Sequence, residues 1–375
     1  MGHDSERSDR ERDCVRVLTG REAFLALEND WERLADAMDA PVFQRHAWAR
    51  IWLDHLGYKK TPVLLVNGDP INAICPLVRS NGGRRLLPLQ WIGHGVSDYL
   101  GPLAADPESA GELALGFIQR MSHLGGGMFQ SIDLATRLNR AYIDSLGPRI
   151  LSRPYEQCPV IDTTGSWNDF LSSKPSKFRT NYKRMLRKVN GLGEIRISRA
   201  EPDESLFLEM LEVERNSWKW SDGSAFLRDP KTRSFMRSIL LEAQLPVEVW
   251  TCRVDDQLGG FAVCFTTAKC RQYYLPSFRK DFWGLGVFLM ASLIELSCSQ
   301  EGIQEFDFLR GDEAYKIPWS TGSRWVHDVV VPGGGVLGRA PAALIAARWK
   351  LAESEMIRKA RTQIIARWGA LIYRK

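Results

Sequence analysis

The 375-residue chain has no apolar run of the length needed to span a bilayer, and Met1 to Asp13 is polar and charged, unlike a secretory leader. It also lacks any cysteine pattern that would staple a fold or hold zinc. Its seven cysteines, at 14, 75, 158, 252, 264, 270 and 298, are odd in number and scattered, with no Cys-x-x-Cys pair and no histidine at ligand spacing. That argues for reduced thiols, for a cytoplasmic protein and for no metal. A Gly-x-Ser-x-Gly elbow and a Cys/His arrangement are missing too, so no serine or cysteine nucleophile announces itself. Charge of one sign is in slight excess only, 50 Lys and Arg against 45 Asp and Glu, so its distribution says more than its total.

What is present is enough apolar residue, 44%, to build two cores. Residues 1–13 have nothing to bury and read as a disordered lead-in. Phe24, Leu27, Trp31 and Leu34, then Trp48, Ile51, Trp52 and His55, recur at helical spacing. Strands are expected at Pro62 to Val66, at Ile71 to Val78 after the Asn67-Gly68-Asp69-Pro70 turn, and at Arg85 to Ile92. A helix from about Pro107 to Leu124 and a strand at Ser131 to Leu134 complete an α/β unit. The loop Trp91 to Pro102 carries Asp98 and Tyr99 among three glycines, which fits a turn held by an aspartate cap. Pro154 and Pro159 mark the connection to a second half.

That half opens on a dense cationic segment. Lys174, Lys177, Arg179, Lys183, Arg184, Arg187 and Lys188 are seven cations without an acid, while Phe178, Tyr182, Met185 and Val189 keep helical spacing. Such a face is either merely solvated or attracts phosphate, nucleic acid or anionic lipid. A helix from about Glu204 to Trp218 puts Leu208, Leu211, Arg215 and Trp218 on one face, with Arg215 reaching an anionic group or passing Trp218 toward water. Pro246 to Val254, Gly259 to Thr267 and Arg271 to Leu275 read as antiparallel strands, and Pro276 requires the third to bulge or end. Gly284-Leu285-Gly286 then opens a helix from Val287 to Ser299, whose amides suit a pyrophosphate, although two such glycines also serve helix–strand packing. A strand pair, Ser323 to His327 and Val329 to Val331, follows.

The densest chemistry lies at Phe306-Asp-Phe-Leu-Arg-Gly-Asp-Glu313, with Tyr315, Lys316 and Trp319. Charged side chains after a buried strand pair with one another in a salt-bridged turn or face a cleft, and strand ends are where α/β sheets place ligands. This stretch resembles the signature of the CelD/BcsL-type acetyltransferases of exopolysaccharide biosynthesis, within the GNAT superfamily and related to the Fem aminoacyltransferases. The resemblance runs from about Trp167 to Trp319. It implies an α/β (α+β) protein of tandem GNAT-like domains, each a mixed, largely antiparallel sheet flanked by helices: an N-terminal domain over 14–155, a C-terminal acyltransferase domain over 156–335, and a basic amphipathic helical tail over 336–375.

The resemblance further implies direct acyl transfer from acetyl-CoA or another acyl-CoA to an amine or hydroxyl of a sugar or glycan precursor. Lys316 would stabilise the oxyanion, Tyr315 would protonate the departing thiolate, and Asp312 or Glu313 would take the acceptor proton or hold Lys316 in place. Gly284, Leu285, Gly286 and a splayed strand at Tyr274 would receive the CoA, with Arg215, Trp218, Asp98 and Tyr99 on the substrate side. The chain departs from the GNAT pattern in having Asp281 where an arginine or glutamine is usual. Two rivals are a Fem-type enzyme drawing its donor from tRNA, which the basic helix would contact, and a non-catalytic binding protein. No DNA partner is expected. From Arg339 to Lys375, nine cations face two acids, and Ile345, Trp349, Ala352, Met356, Ala360, Ile364, Trp368 and Ile372 form an apolar stripe. That tail either packs on its own domain, lies on the anionic inner membrane, or offers arginines to cyclic di-GMP.

Overall fold

The computed structural model describes residues 15–80, 87–148 and 150–352. In chain order the first half contains β1 (Arg16–Thr19), α1 (Arg21–Ala26), α2 (Glu28–Ala37), a 3-10 turn (Val42–Gln44), α3 (His46–His55), β2 (Lys60–Gly68), β3 (Ile71–Ser80), β4 (Leu89–Trp91), β5 (Leu103–Ala104), α4 (Pro107–Leu124), β6 (Gly127–Asp133), α5 (Arg137–Ser145) and β7 (Leu151–Asp162). The second contains α6 (Trp167–Ser173), α7 (Ser176–Val189), β8 (Ile195–Ala200), α8 (Glu204–Arg215), α9 (Trp218–Asp222), a 3-10 turn (Phe226–Arg228), α10 (Pro230–Leu241), β9 (Val247–Val254), β10 (Gln257–Thr266), β11 (Cys270–Phe278), α11 (Leu285–Ser299), β12 (Glu305–Asp307), β13 (Gly322–Val331) and α12 (Gly335–Ala352).

All strands belong to one mixed, largely antiparallel sheet, in the order β1-β2-β3-β4-β6-β13-β7-β12-β11-β10-β9-β8, with β5 beside β3. Helices flank it, as the α/β expectation required. The two halves share this sheet because β13 returns from the second half to lie between β6 and β7. The expected boundary at 155/156 therefore falls inside β7. Apolar packing joins the halves as well: Trp48 of α3 meets Phe235, Phe265 and Tyr274 with ring centroids 5.0, 5.6 and 5.8 Å away.

Three local expectations are corrected. Residues 322–331 form one strand rather than a pair, because bulges around His327 absorb the irregularity at Asp328, whose buried carboxylate accepts from Arg153 at 3.3 Å. Pro154 and Pro159 lie within β7 rather than in a connection. Before Val160 the regular ladder of β7 is with β13; on its other side the chain after β12 makes only isolated bonds, from the Phe308 and Gly311 amides to the Pro159 and Gln157 carbonyls, so the missing proline N–H groups interrupt no ladder there. The helix expected to run to Trp218 stops at Arg215, and α9 restarts at Trp218 after Asn216 and Ser217.

The start of the tail packs on its own domain, one of the three alternatives the sequence left open. Ala342 and Trp349 are buried, and with Ile345 they lie against Val330, Leu151 and Met128 of the sheet. The Arg153 guanidinium sits 4.4 Å from the Trp349 ring. The remaining stripe and cations, in 353–375, and the N-terminal residues 1–13 lie outside the described residues. Among the described residues, no helix is long and apolar enough to cross a membrane.

Candidate active site

The site begins where two parallel strands part. β11 and β12 pair only over Cys270–Gln272 and Glu305–Asp307. Beyond Gln272, β11 stays on β10, bulging at Tyr274, which has no partner between the Leu275–Val263 and Tyr273–Cys264 pairs. The chain after β12 instead follows β7, where the amides of Phe308 and Gly311 donate to the carbonyls of Pro159 and Gln157 at 3.0 and 3.1 Å. Each strand thus keeps its outer neighbour, and a gap opens between them.

Backbone geometry fixes the turn out of the sheet. Leu309 has φ +60°, a left-handed conformation uncommon for a branched residue. Its amide donates to the Asp307 carboxylate at 2.7 Å, which offsets that cost. Gly311 follows at φ +104°. The buried Lys316 then closes the loop, donating to the carbonyls of Phe308, Arg310 and Gly311 at 3.1, 3.0 and 3.4 Å and pairing with Glu313 at 2.8 Å. An ammonium carries three protons, so these groups saturate it. A second lysine holds the far end: the Lys174 ammonium donates to Trp319 and Ser320 carbonyls at 2.7 and 2.9 Å. Trp319 itself stacks among Trp167, Phe170, Phe178 and Tyr182.

The first half clips onto this loop. Asp98 accepts from Arg310 at 2.6 Å, and the Tyr99 hydroxyl donates to Asp307 at 2.7 Å. Burial pushes the Asp98 carboxyl up, with Arg310 opposing, and pushes Asp307 up to about 6, opposed by Arg324 and by the Tyr99 and Leu309 hydrogen bonds. Asp98 and Tyr99 were singled out for a substrate; the geometry brings both to the signature as partners of its charges. Cys270, Glu305 and Asp307 bring possible ligand atoms within 4.8 Å of one another, but the Arg324 guanidinium already pairs with Glu305 there.

The predicted residues divide into those that converge on the gap and those that do not. Asp312 and Glu313 are exposed on the loop, and Tyr315 is partly buried beside them with its hydroxyl pushed up by burial and by Glu313. Tyr274 turns its ring into the contact between the halves and donates to the Val96 carbonyl at 2.7 Å. Arg215 is exposed and pairs with Glu212 at 3.7 Å, and Trp218 is exposed nearby; among the described residues neither is hydrogen-bonded or ion-paired with the signature. The residue that reaches the gap from this region is Lys219, whose ammonium donates to the Pro276 carbonyl at 2.6 Å. Periodicity missed it because the break after Arg215 shifts the helical phase. A lysine between Trp218 and Trp220, at the start of a new helix, was the available signal.

At the other end of β11, Gly284 is the left-handed cap of α11, with φ +84°. A Cβ there would lie 3.1 Å from Val189 and 3.2 Å from Met185 of α7, so the cationic helix packs against the start of α11. A Cβ on Gly286 would come within 2.2 Å of the Phe278 ring, so close helix–strand packing also demands this glycine. Among the described residues, the amides of Gly286 and Val287 have no backbone partner. Asp281 is paired with Arg279 at 3.1 Å, which offsets the negative charge that departs from the GNAT pattern. On α7, Lys177, Lys183, Arg184, Arg187 and Lys188 are exposed without an acidic partner among the described residues. Lys188 stands 4.4 Å over the exposed Trp283 ring.

These features agree with the comparisons. Residues 176–317 match the family model described as an acetyltransferase (GNAT) domain. Among solved structures, FemX is similar with a TM-score of 0.57 and 10% identity, covering 80% of this chain and 95% of that one. A conserved protein of unknown function from Bacteroides thetaiotaomicron gives 0.56 and 10%, covering 82% and 96%. The C-terminal domain of a putative lysylphosphatidylglycerol synthetase from Agrobacterium fabrum gives 0.54 and 15%, covering 86% and 96%. No curated protein matches the sequence. Residues 176–317 are thus similar to an acetyltransferase (GNAT) domain, and the chain shares over both halves the fold of FemX.

Proposed function

We propose that the protein is an acyltransferase of the CelD/BcsL type, moving an acyl group, acetyl first among the candidates, from acyl-CoA to an amine or hydroxyl of a sugar or glycan precursor. The observation that carries this is the gap between β11 and β12, which runs along a bulged strand toward the unpaired amides of α11 within the GNAT-matching residues. The donor supplies an activated thioester carbonyl. The α11 amides and the adjacent cations of α7 would hold its phosphates. Asp312 or Glu313 would accept the acceptor's proton. Tyr315, kept protonated by burial, would give one to the leaving thiolate. Lys316 would hold the loop and set a positive charge at the gap.

Calorimetric titration with acetyl-CoA, followed by thiol release with amino-sugar and nucleotide-sugar acceptors, tests this. Saturable binding and acceptor-dependent thiol release are expected; a folded protein showing neither sinks the proposal. A second reading, transfer from aminoacyl-tRNA to a peptidoglycan precursor, is favoured by the exposed unpartnered cations of α7. Steeply salt-dependent tRNA binding without acetyl-CoA binding would select it. The proposed setting is cytoplasmic, beside the inner membrane, with the distal tail on anionic lipid or cyclic di-GMP. Sedimentation with anionic liposomes that is lost on deleting 353–375 is the expected result.

A further inference from the structure

β11 presents an incomplete edge to the gap. Pro276 pairs with Ala262 of β10 and is tolerated because a proline's missing N–H can face away from the partner strand. On the gap side this position therefore offers a carbonyl and no donor. An extended ligand arm laid along an open strand edge needs both, because its own amides carry a donor and an acceptor.

Lys219 supplies what is missing. From α9 its ammonium donates to the Pro276 carbonyl at 2.6 Å, the one hydrogen bond its side chain makes among the described residues. An ammonium has three protons and a neutral amine two, so at least one donor remains in either state. The charged groups that act on it are Glu214 from α8, Asp222 from its own helix, and Glu313 and Lys316 from the loop after β12. Two of these are already engaged. Glu214 accepts from the Phe226 and Leu227 amides at 3.2 and 2.6 Å, and Glu313 is held by Lys316 at 2.8 Å. Burial lowers the pKa of the Lys219 amine, countered by Glu214.

We propose that Lys219 stands in for the N–H that Pro276 lacks and donates to an amide carbonyl of the donor's pantetheine arm. This rests on the acyl-CoA reading and deepens it: the donor edge of the site is completed by a side chain instead of by the strand. It accounts for a proline and a lysine that meet at the edge where a donor arm would lie.

The test is calorimetric titration of the full chain with CoA and with 3′-phospho-ADP, which keeps the nucleotide and lacks the arm. Lys219→Met should weaken CoA about 10- to 100-fold, the loss of one hydrogen bond from a charged donor, and leave 3′-phospho-ADP unchanged. Lys219→Arg, which retains donors, should recover most of the loss. Unchanged CoA affinity in a folded Lys219→Met protein overturns the inference while the acyl-CoA reading stands. Equal weakening of both ligands also overturns it, since the arm would then not be the contact. A wild-type protein that binds neither ligand removes the reading and the inference together. If Lys219→Met does not fold, a CoA analogue whose arm carbonyls are reduced to methylenes decides on the wild-type protein. Binding at least about ten-fold weaker than CoA supports the contact, and equal binding overturns it.

Discussion

The loop after β12 and the helix α7 both concentrate charge, and they dispose of it in opposite ways. In the loop Lys316 is saturated by three carbonyls and Glu313, Arg310 is paired with Asp98, and Asp307 takes hydrogen bonds from Tyr99 and Leu309. Lys174 just before α7 and Arg179 in its first turn are used on backbone carbonyls, whereas Lys177, Lys183, Arg184, Arg187 and Lys188 remain exposed without an acidic partner among the described residues. Charge that the protein has partnered internally holds shape. Charge left facing water beside unpaired amides is what an anionic ligand can use. Under the proposed function, the loop and the cationic surface of α7 would be different parts of one site.

The sharpest way to break this contrast is Lys316→Met. Three loop carbonyls and Glu313 would lose their common partner, and equilibrium urea unfolding should show a loss of about 3–5 kcal/mol. If stability holds and turnover alone falls about 100- to 1,000-fold, the ammonium acts on the reacting carbonyl and the contrast fails. Next in size, Asp98→Asn or Arg310→Met should each cost about 2–3 kcal/mol by the same measurement, because each strands a largely buried charge. The double variant should lose less than the sum of the two.

Asp307 gives a smaller effect that depends on pH. Its folded pKa of about 6 stands above the ordinary aspartate value of 3.8, so the folded protein retains a proton that the unfolded chain releases. Stability from this group is fully present below the unfolded value and declines as pH rises toward and through about 6. The advantage of the wild type over Asp307→Asn in urea midpoint should thus shrink from pH 4.5 to pH 7.5. An advantage that grows with pH would mean that Arg324 and the hydrogen bonds outweigh burial. The smallest stability change is expected on α7, where Lys183→Glu, Arg184→Glu and Arg187→Glu together should stay within about 1 kcal/mol of wild type. The same triple variant should lose most of its CoA affinity and its salt dependence. A large stability loss there would show that α7 is holding the fold as the loop does.

Much of this was legible before the tertiary structure, because it depends on local chemistry. Alternation and turn residues marked β2, β3, β9, β10 and β11, and a 3.6-residue period marked α7 and the packed stripe of α12 through Ile345 and Trp349. The Gly284–Gly286 opening of α11 and the polar stretch after β12 were likewise visible. Missed were the features whose cause lies far away in the chain. Prolines in β7 looked like a connection because the side without a regular ladder, which tolerates them, is created by where β12 and β13 fall. Lys219 went unseen because its value lies in meeting Pro276, 57 residues later.

The sequence by itself determined many of the strands and helices, where cations crowd, and that charged and aromatic residues are dense after β12; these follow from side-chain periodicity, turn propensity and charge density. Only the tertiary structure decided that β13 inserts between β6 and β7, that the first half clamps the motif through Asp98 and Tyr99, and that its lysine is spent on loop carbonyls. The physical reason is that a charge declares its type locally, but whether it is partnered depends on which distant groups the sheet brings within hydrogen-bonding reach.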